Sequence, residues 1–156
     1  MWIYGANRPL GEEEGEALRA DLLEFVDRWT AHGTQLLAAI DIMENRFAIV
    51  AVDEAAAAAS GCSIDAIVQH MAGLEQQLGC SLLDGMRVFY RTENGEIMGC
   101  DRSVFRARAE SGSISQSTPV FDLTISTLGE LRAGALERPL SESWHRRLVN
   151  EVLEPS

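Results

Sequence analysis

At 156 residues, with 46% apolar and 24% charged residues, the chain is long enough for a buried core and has the balance of an ordinary globular protein. Thirteen arginines, no lysine and 24 carboxylates leave a net charge of -11. That excess argues against nucleic acid as a partner, because phosphate contacts need a dedicated basic face. The missing lysine also excludes a P-loop, whose lysine must reach the β- and γ-phosphates.

Trp2 to Ala6 reads as a short strand ended by Asn7-Arg8-Pro9. Glu12, Glu13, Glu14 and Glu16 then place negative charge at a helix start, where the macrodipole favours it. Leu18, Leu22, Phe25, Val26 and Trp29 form one apolar stripe of that helix, with Gly33 after His32 as its expected stop. Leu36 to Met43 and Phe47 to Val52 are apolar runs around Glu44-Asn45-Arg46, the pattern of a hairpin, with Asp41 facing solvent on the first. A connection from Asp53 to Gly61 holds five consecutive alanines. A second helix is expected near Ser63, with Ile64, Ile67, Val68, Met71, Leu74 and Leu78 inward and Gly79 as its stop. Arg87 to Arg91 and Glu96 to Cys100 flank Asn94-Gly95, a strong hairpin signal.

The order β-α-β-β-α-β predicts an α+β protein with a ferredoxin-like core and an antiparallel sheet. Residues 101–156 are expected to extend a single domain whose core spans about residues 1–100. That extension reads as a helix at Val104–Glu110, a serine-rich link, a strand at Val120–Thr124, and short helices from Ser126 and Ser141. Its apolar content is too sparse for a core of its own. An open sheet edge at the Arg91 or Cys100 strand would invite homo-oligomers.

Cys62, Cys80 and Cys100, at spacings of 18 and 20, contain no C-x-x-C and make neither a disulfide framework nor a zinc site. The Met1-Trp2-Ile3-Tyr4-Gly5 start has no basic or apolar leader, and no apolar run approaches the roughly 20 residues of a membrane span. A cytoplasmic protein without membrane contact, metal or cofactor is expected. Five arginines between Arg87 and Arg108 make a mildly basic island, read as solvated charge. The tryptophans Trp2, Trp29 and Trp144 read as core residues, and no carboxylate pair has acid–base spacing.

Phe47 to Glu54 looks like a Walker B strand, and Ser60-Gly61-Cys62 is faintly similar to the Ser-Gly-Gly of an ABC signature. The order of the two is inverted relative to ABC ATPases, and lysine is absent, so nucleotide hydrolysis is not expected. Trp29-Thr30-Ala31-His32-Gly33, Asn45-Arg46-Phe47, Val52-Asp53-Glu54, Ala59 to Asp65 and Ser143-Trp144-His145 resemble uncharacterised bacterial proteins of similar length. Those proteins are often labelled "ABC transporter ATPase" while lacking a Walker A motif. The resemblance spans most of the chain and implies no activity.

Ser60, Gly61, Cys62 and Ser63 gather at a helix start, where unpaired N–H groups cap, hold an anion or lower a thiol pKa. In a split βαβ layout both helix starts are expected at one end of the sheet. Arg8 would then join Ser60, Gly61, Cys62 and Ser63 in a pocket for a small anion. On the same layout His32 lies about 20 Å from Cys62, a helix length at 1.5 Å per residue, and His70 is badly placed two turns into the second helix. That leaves His145 as the only reachable base. The expected function is a binding module for a ligand or protein partner; the alternative is a cysteine-dependent enzyme using Cys62 and His145.

Overall fold

Why the chain pairs as it does is clearest at its first hairpin. Ala38–Met43 (β4) and Phe47–Val52 (β5) pair antiparallel through the three-residue connection Glu44-Asn45-Arg46. The turn residues Glu44 and Asn45 both have positive φ, 57° and 47°, and Arg46 N–H closes on the Met43 carbonyl at 3.0 Å. This is the turn whose twist matches flanking strands. Trp2–Gly5 (β1) pairs antiparallel on the other side of β5, giving the order β1-β5-β4. β1 and β4 are therefore parallel with β5 between them, a split βαβ unit closed by the helix Glu12–Asp27 (α1).

The computed structural model describes residues 1–153. They form two compact units, Met1–Leu83 with Ser126–Leu128, and Asp84–Ile125 with the residues from Gly129 onward. In the first, the helices α1 and Gly61–Leu78 (α2) lie on one sheet face, where Leu18, Leu22, Val26, Ile67, Met71 and Leu74 meet Tyr4, Ala48 and Val50. Burying each of the larger aliphatic side chains stabilises by about 1.5–3 kcal/mol. Alternate residues Ile3, Phe47 and Ile49 are buried as well, which is why β5 is apolar throughout instead of alternating.

The mixed helix and antiparallel sheet bear out the α+β class, but the ferredoxin-like sheet expected from element order is not what these pairings form. Its fourth strand, Val88–Arg91 (β6), pairs with Ile97–Cys100 (β7) and Pro119–Phe121 (β8) in a separate four-stranded sheet, closed by Glu137–Pro139 (β9) in the order β7-β6-β8-β9. Strand order along the chain is the same in both arrangements, so element order alone does not distinguish them. The boundary falls at Leu83, earlier than the expected edge of the core, and residues from Asp84 build a second hydrophobic cluster. That cluster joins Val88, Tyr90 and Val120 to Phe105 and Ala109 of the helix Arg102–Glu110 (α3), and to Leu140 and Val149. Its apolar residues come one or two at a time from many short elements, a pattern that leaves no long apolar stripe in the sequence. These include two 3-10 turns at Leu140–Glu142 and Trp144–Leu148 and the short helix Asn150–Leu153, whereas the helix Leu128–Arg132 buries none of its residues.

Other expectations shift by smaller amounts. Gly33 does not stop α1, which ends at Asp27. His32 and Gly33, at φ 50° and 78°, instead turn the small hairpin Thr30–Ala31 (β2) and Thr34–Gln35 (β3). Gly79 caps α2 in the left-handed conformation, as its position predicts. No helix among the described residues is long and apolar enough to cross a membrane.

Candidate functional site

The two helices leave the sheet at opposite ends. Because β1 and β5 are antiparallel, Gly5, the last residue of β1, lies opposite Phe47, the first of β5. The chain therefore enters α1 at one end of the sheet and α2 at the other. Side chains confirm it: Trp29, just past α1, donates its indole N–H to the Ser63 carbonyl in the first turn of α2 at 2.9 Å. The expected convergence of two helix starts is corrected by this one pairing.

Arg8 accordingly sits at the far end of α2. Its guanidinium forks onto Glu14 at 2.9 and 2.8 Å and reaches the Leu78 carbonyl at 2.5 Å. The neighbouring Asn7 N–H donates to Ser81, and Ser81 N–H returns to the Asn7 side chain. An 18-residue helix, about 27 Å at 1.5 Å per residue, separates this cluster from Ser60. The Arg8 fork and the Gly11 amide hold the Glu14 carboxyl down to about 2. Arg8 thus ties the α1 start to the α2 exit. It does not join Ser60, Gly61, Cys62 and Ser63.

At the start of α2 both hydroxyls are committed to a capping box. Ser60 Oγ accepts from Ser63 N–H at 3.2 Å, and Ser63 Oγ accepts from Ser60 N–H at 2.7 Å. Ser63 is buried, whereas Gly61 and Cys62 are exposed. His145 belongs to the other unit and is 3% exposed. Its Nδ1 lies 2.7 Å from Ser143 Oγ, and its ring stacks on Trp144 at 3.9 Å. Burial pushes its pKa down to about 4, so it is neutral at neutral pH. A ring so enclosed and so bonded is placed as a core histidine. His70, on α2, pairs through Nε2 with Asp21 of α1 and stacks on Phe25. With it, Trp29, Arg28 and Glu24 line a shallow cavity of about 350 Å³.

The larger concavity, about 830 Å³, opens at the end of the first sheet where β5 finishes. Trp2, Leu37, Ala38, Val52 and Leu128 supply its apolar lining, and Asp53 and Glu54 its carboxylates. Two large apolar side chains stand in solvent there, Leu37 at 61% exposure and Leu128 at 38%. Asp53 is held in place at both ends: its N–H donates to the Leu37 carbonyl at 2.8 Å, and its Oδ1 accepts from Ala55 N–H at 3.0 Å. The Met1 nitrogen donates to the Ser126 carbonyl at 3.1 Å, bringing residues 126–128 to the start of β1. No known protein family, curated protein or solved structure matches this chain.

Sequence reasoning singled out Val52-Asp53-Glu54 only to reject it as a Walker B end. The signal that could have found this site was the pair of exposed leucines, Leu37 and Leu128. Only the fold reveals that residues so far apart share one surface.

Proposed function

We propose that this chain is a small binding module that holds a ligand or partner without chemistry of its own, and that its site is the concavity at the end of the first sheet. The observation that carries this reading is the concavity itself. Its volume of about 830 Å³ lies within the range of small-molecule sites, roughly 300–1,000 Å³, and apolar walls with a few placed polar groups are their usual lining. Leu37 and Leu128, both exposed at this concavity, offer apolar surface that a ligand would cover.

The competing reading, a cysteine-dependent enzyme, requires a base for Cys62. The base it would use, His145, is buried and bonded to Ser143. Nucleotide hydrolysis has no support from Asp53 and Glu54 in a chain with no lysine. Three thiols, Cys62, Cys80 and Cys100, support a reducing compartment such as the cytoplasm. The one-sided pairing of β7 supports self-association as a further use of the same module.

Titration with 1-hexanol, followed by amide chemical shifts, tests the site. Saturable shifts are expected at residues 1–2, 37–39, 51–54 and 126–128, and should weaken severalfold when Leu37 and Leu128 are both changed to Ser. Shifts scattered over the surface, or none at these residues, would overturn the reading.

A further inference from the structure

Resting on the reading of this concavity as a binding site, we infer its ligand class: a small apolar molecule carrying one protonated amine. The walls contain two carboxylates and no guanidinium; their one cation, the Met1 α-ammonium, is engaged by the Ser126 carbonyl, so the lining is net negative. Within the same unit, thirteen carboxylates stand against four arginines. Each of those arginines is engaged elsewhere. Arg8 is on Glu14 and Leu78, Arg19 on Asp41, Arg28 on Glu24, and the buried Arg46 on the Ala6 carbonyl. An anion entering the concavity would meet repulsion from Asp53 and Glu54, with none of these cations to receive it. A neutral molecule would use the hydrocarbon walls and at most a neutral hydrogen bond, without charge assistance.

An amine uses both. Its hydrocarbon part packs on Trp2, Leu37, Val52 and Leu128, and its N–H groups donate to Asp53 and Glu54 at the end of β5. The Asp53 carboxylate is already oriented by its bond to Ala55 N–H, so less freedom is lost when it accepts a donor. Charge-assisted bonds of this kind are about twice as strong as neutral ones, although solvent reduces their net value at an open rim. The sign of the ligand charge follows from the residues, and its size from the volume.

Three probes with one chain length and different head groups make the test: hexylammonium, 1-hexanol and hexanoate, at equal ionic strength and read by the same amide shifts. Hexylammonium is expected to bind about two- to fivefold tighter than hexanol, the factor one exposed ion pair supplies, and hexanoate more weakly than hexanol. Asp53→Asn with Glu54→Gln should abolish the amine preference while leaving hexanol affinity within about twofold. Glu54→Gln alone, which spares the Asp53 turn, should halve the preference at least. Glu12→Gln with Glu13→Gln on α1 removes equal charge at the other end of the sheet and should leave the preference intact. Equal binding of amine and alcohol, or loss of the preference in the α1 variant, would overturn the amine inference while the site stands. Failure of all three probes to bind would overturn both.

Discussion

Among the described residues, the first compact unit carries thirteen carboxylates against four arginines, and the second ten against nine. The two also use arginine differently. In the first, Arg8 and Arg46 reach backbone carbonyls at chain crossings, while Arg19 and Arg28 pair on the surface. In the second, Arg91, Arg102 and Arg108 lie over the rings of Phe121, Trp144 and Tyr90, and Arg91 forks onto Glu137 at 2.6 and 2.9 Å. Two long helices give the first unit continuous aliphatic stripes, so its charges, the buried Arg46 excepted, remain at the surface and accumulate with one sign. The second is assembled from short elements whose burial is piecemeal, and guanidinium groups take part in covering its aromatic residues. Where burial is continuous, charge stays out of the core; where it is piecemeal, charge is used to finish the fold.

Emptying each core in turn is the strongest way to break this comparison. Phe105→Ala should cost about 3–5 kcal/mol, and Leu22→Ala about 2–5 kcal/mol, as fully buried side chains that leave cavities. Hydrogen exchange at β6 and β8 would read the first substitution, and at β1 and β5 the second. A loss below about 1 kcal/mol at Phe105 would show that the second unit does not rest on that ring.

Acid sharpens the contrast next. The His145 pKa is lower in the folded chain, about 4 against an ordinary 6.5, so the unfolded chain binds the extra proton first. The stability associated with neutral His145 is fully present above pH 6.5 and is lost as pH falls towards 4, on the order of 3 kcal/mol. Denaturant midpoints for the native chain and His145→Gln should therefore converge between these values. Parallel curves would show that the ring is not held neutral by the fold. The Glu14 carboxyl, held at about 2 from an ordinary 4.5, contributes in the same direction but only over the lower window from 4.5 to 2.

The smallest expected effect separates a cap from an anion site. Ser60→Ala should cost about 1 kcal/mol by removing the Oγ that accepts from Ser63 N–H. That loss should be the same in chloride and in sulfate. Sulfate stabilising the native chain and not the variant would restore anion binding at the α2 start and would weaken the charge contrast between the two units.

Much of the local structure was legible in the residues. β5 occupies the apolar run Phe47–Val52, α2 ends at Gly79, and β6 and β7 flank Asn94-Gly95, because turn chemistry, capping and apolar periodicity are properties of neighbouring residues. Ser60 was readable as a cap for the same reason. The proposed anion pocket failed on a longer-range point: whether two strands run parallel or antiparallel decides which helix ends meet, and that is a property of pairing. Likewise His145, the nearest thing to a catalytic base in the sequence, becomes a core residue once Ser143 and Trp144 enclose it.

By itself the sequence determined the α+β class, the two long helices, the hairpins at Glu44-Asn45-Arg46 and Asn94-Gly95, the acidic excess and the lack of a P-loop, all of which depend on composition or on spacings of a few residues. Tertiary structure alone decided that β6 leaves the first sheet for another, that Arg8 lies a helix length from Ser60, and that Leu37, Asp53 and Leu128 line one concavity. Each of those depends on contacts between segments far apart in the chain. Such contacts form where burial of apolar surface outweighs the entropy of closing the intervening loop, a balance no local pattern records.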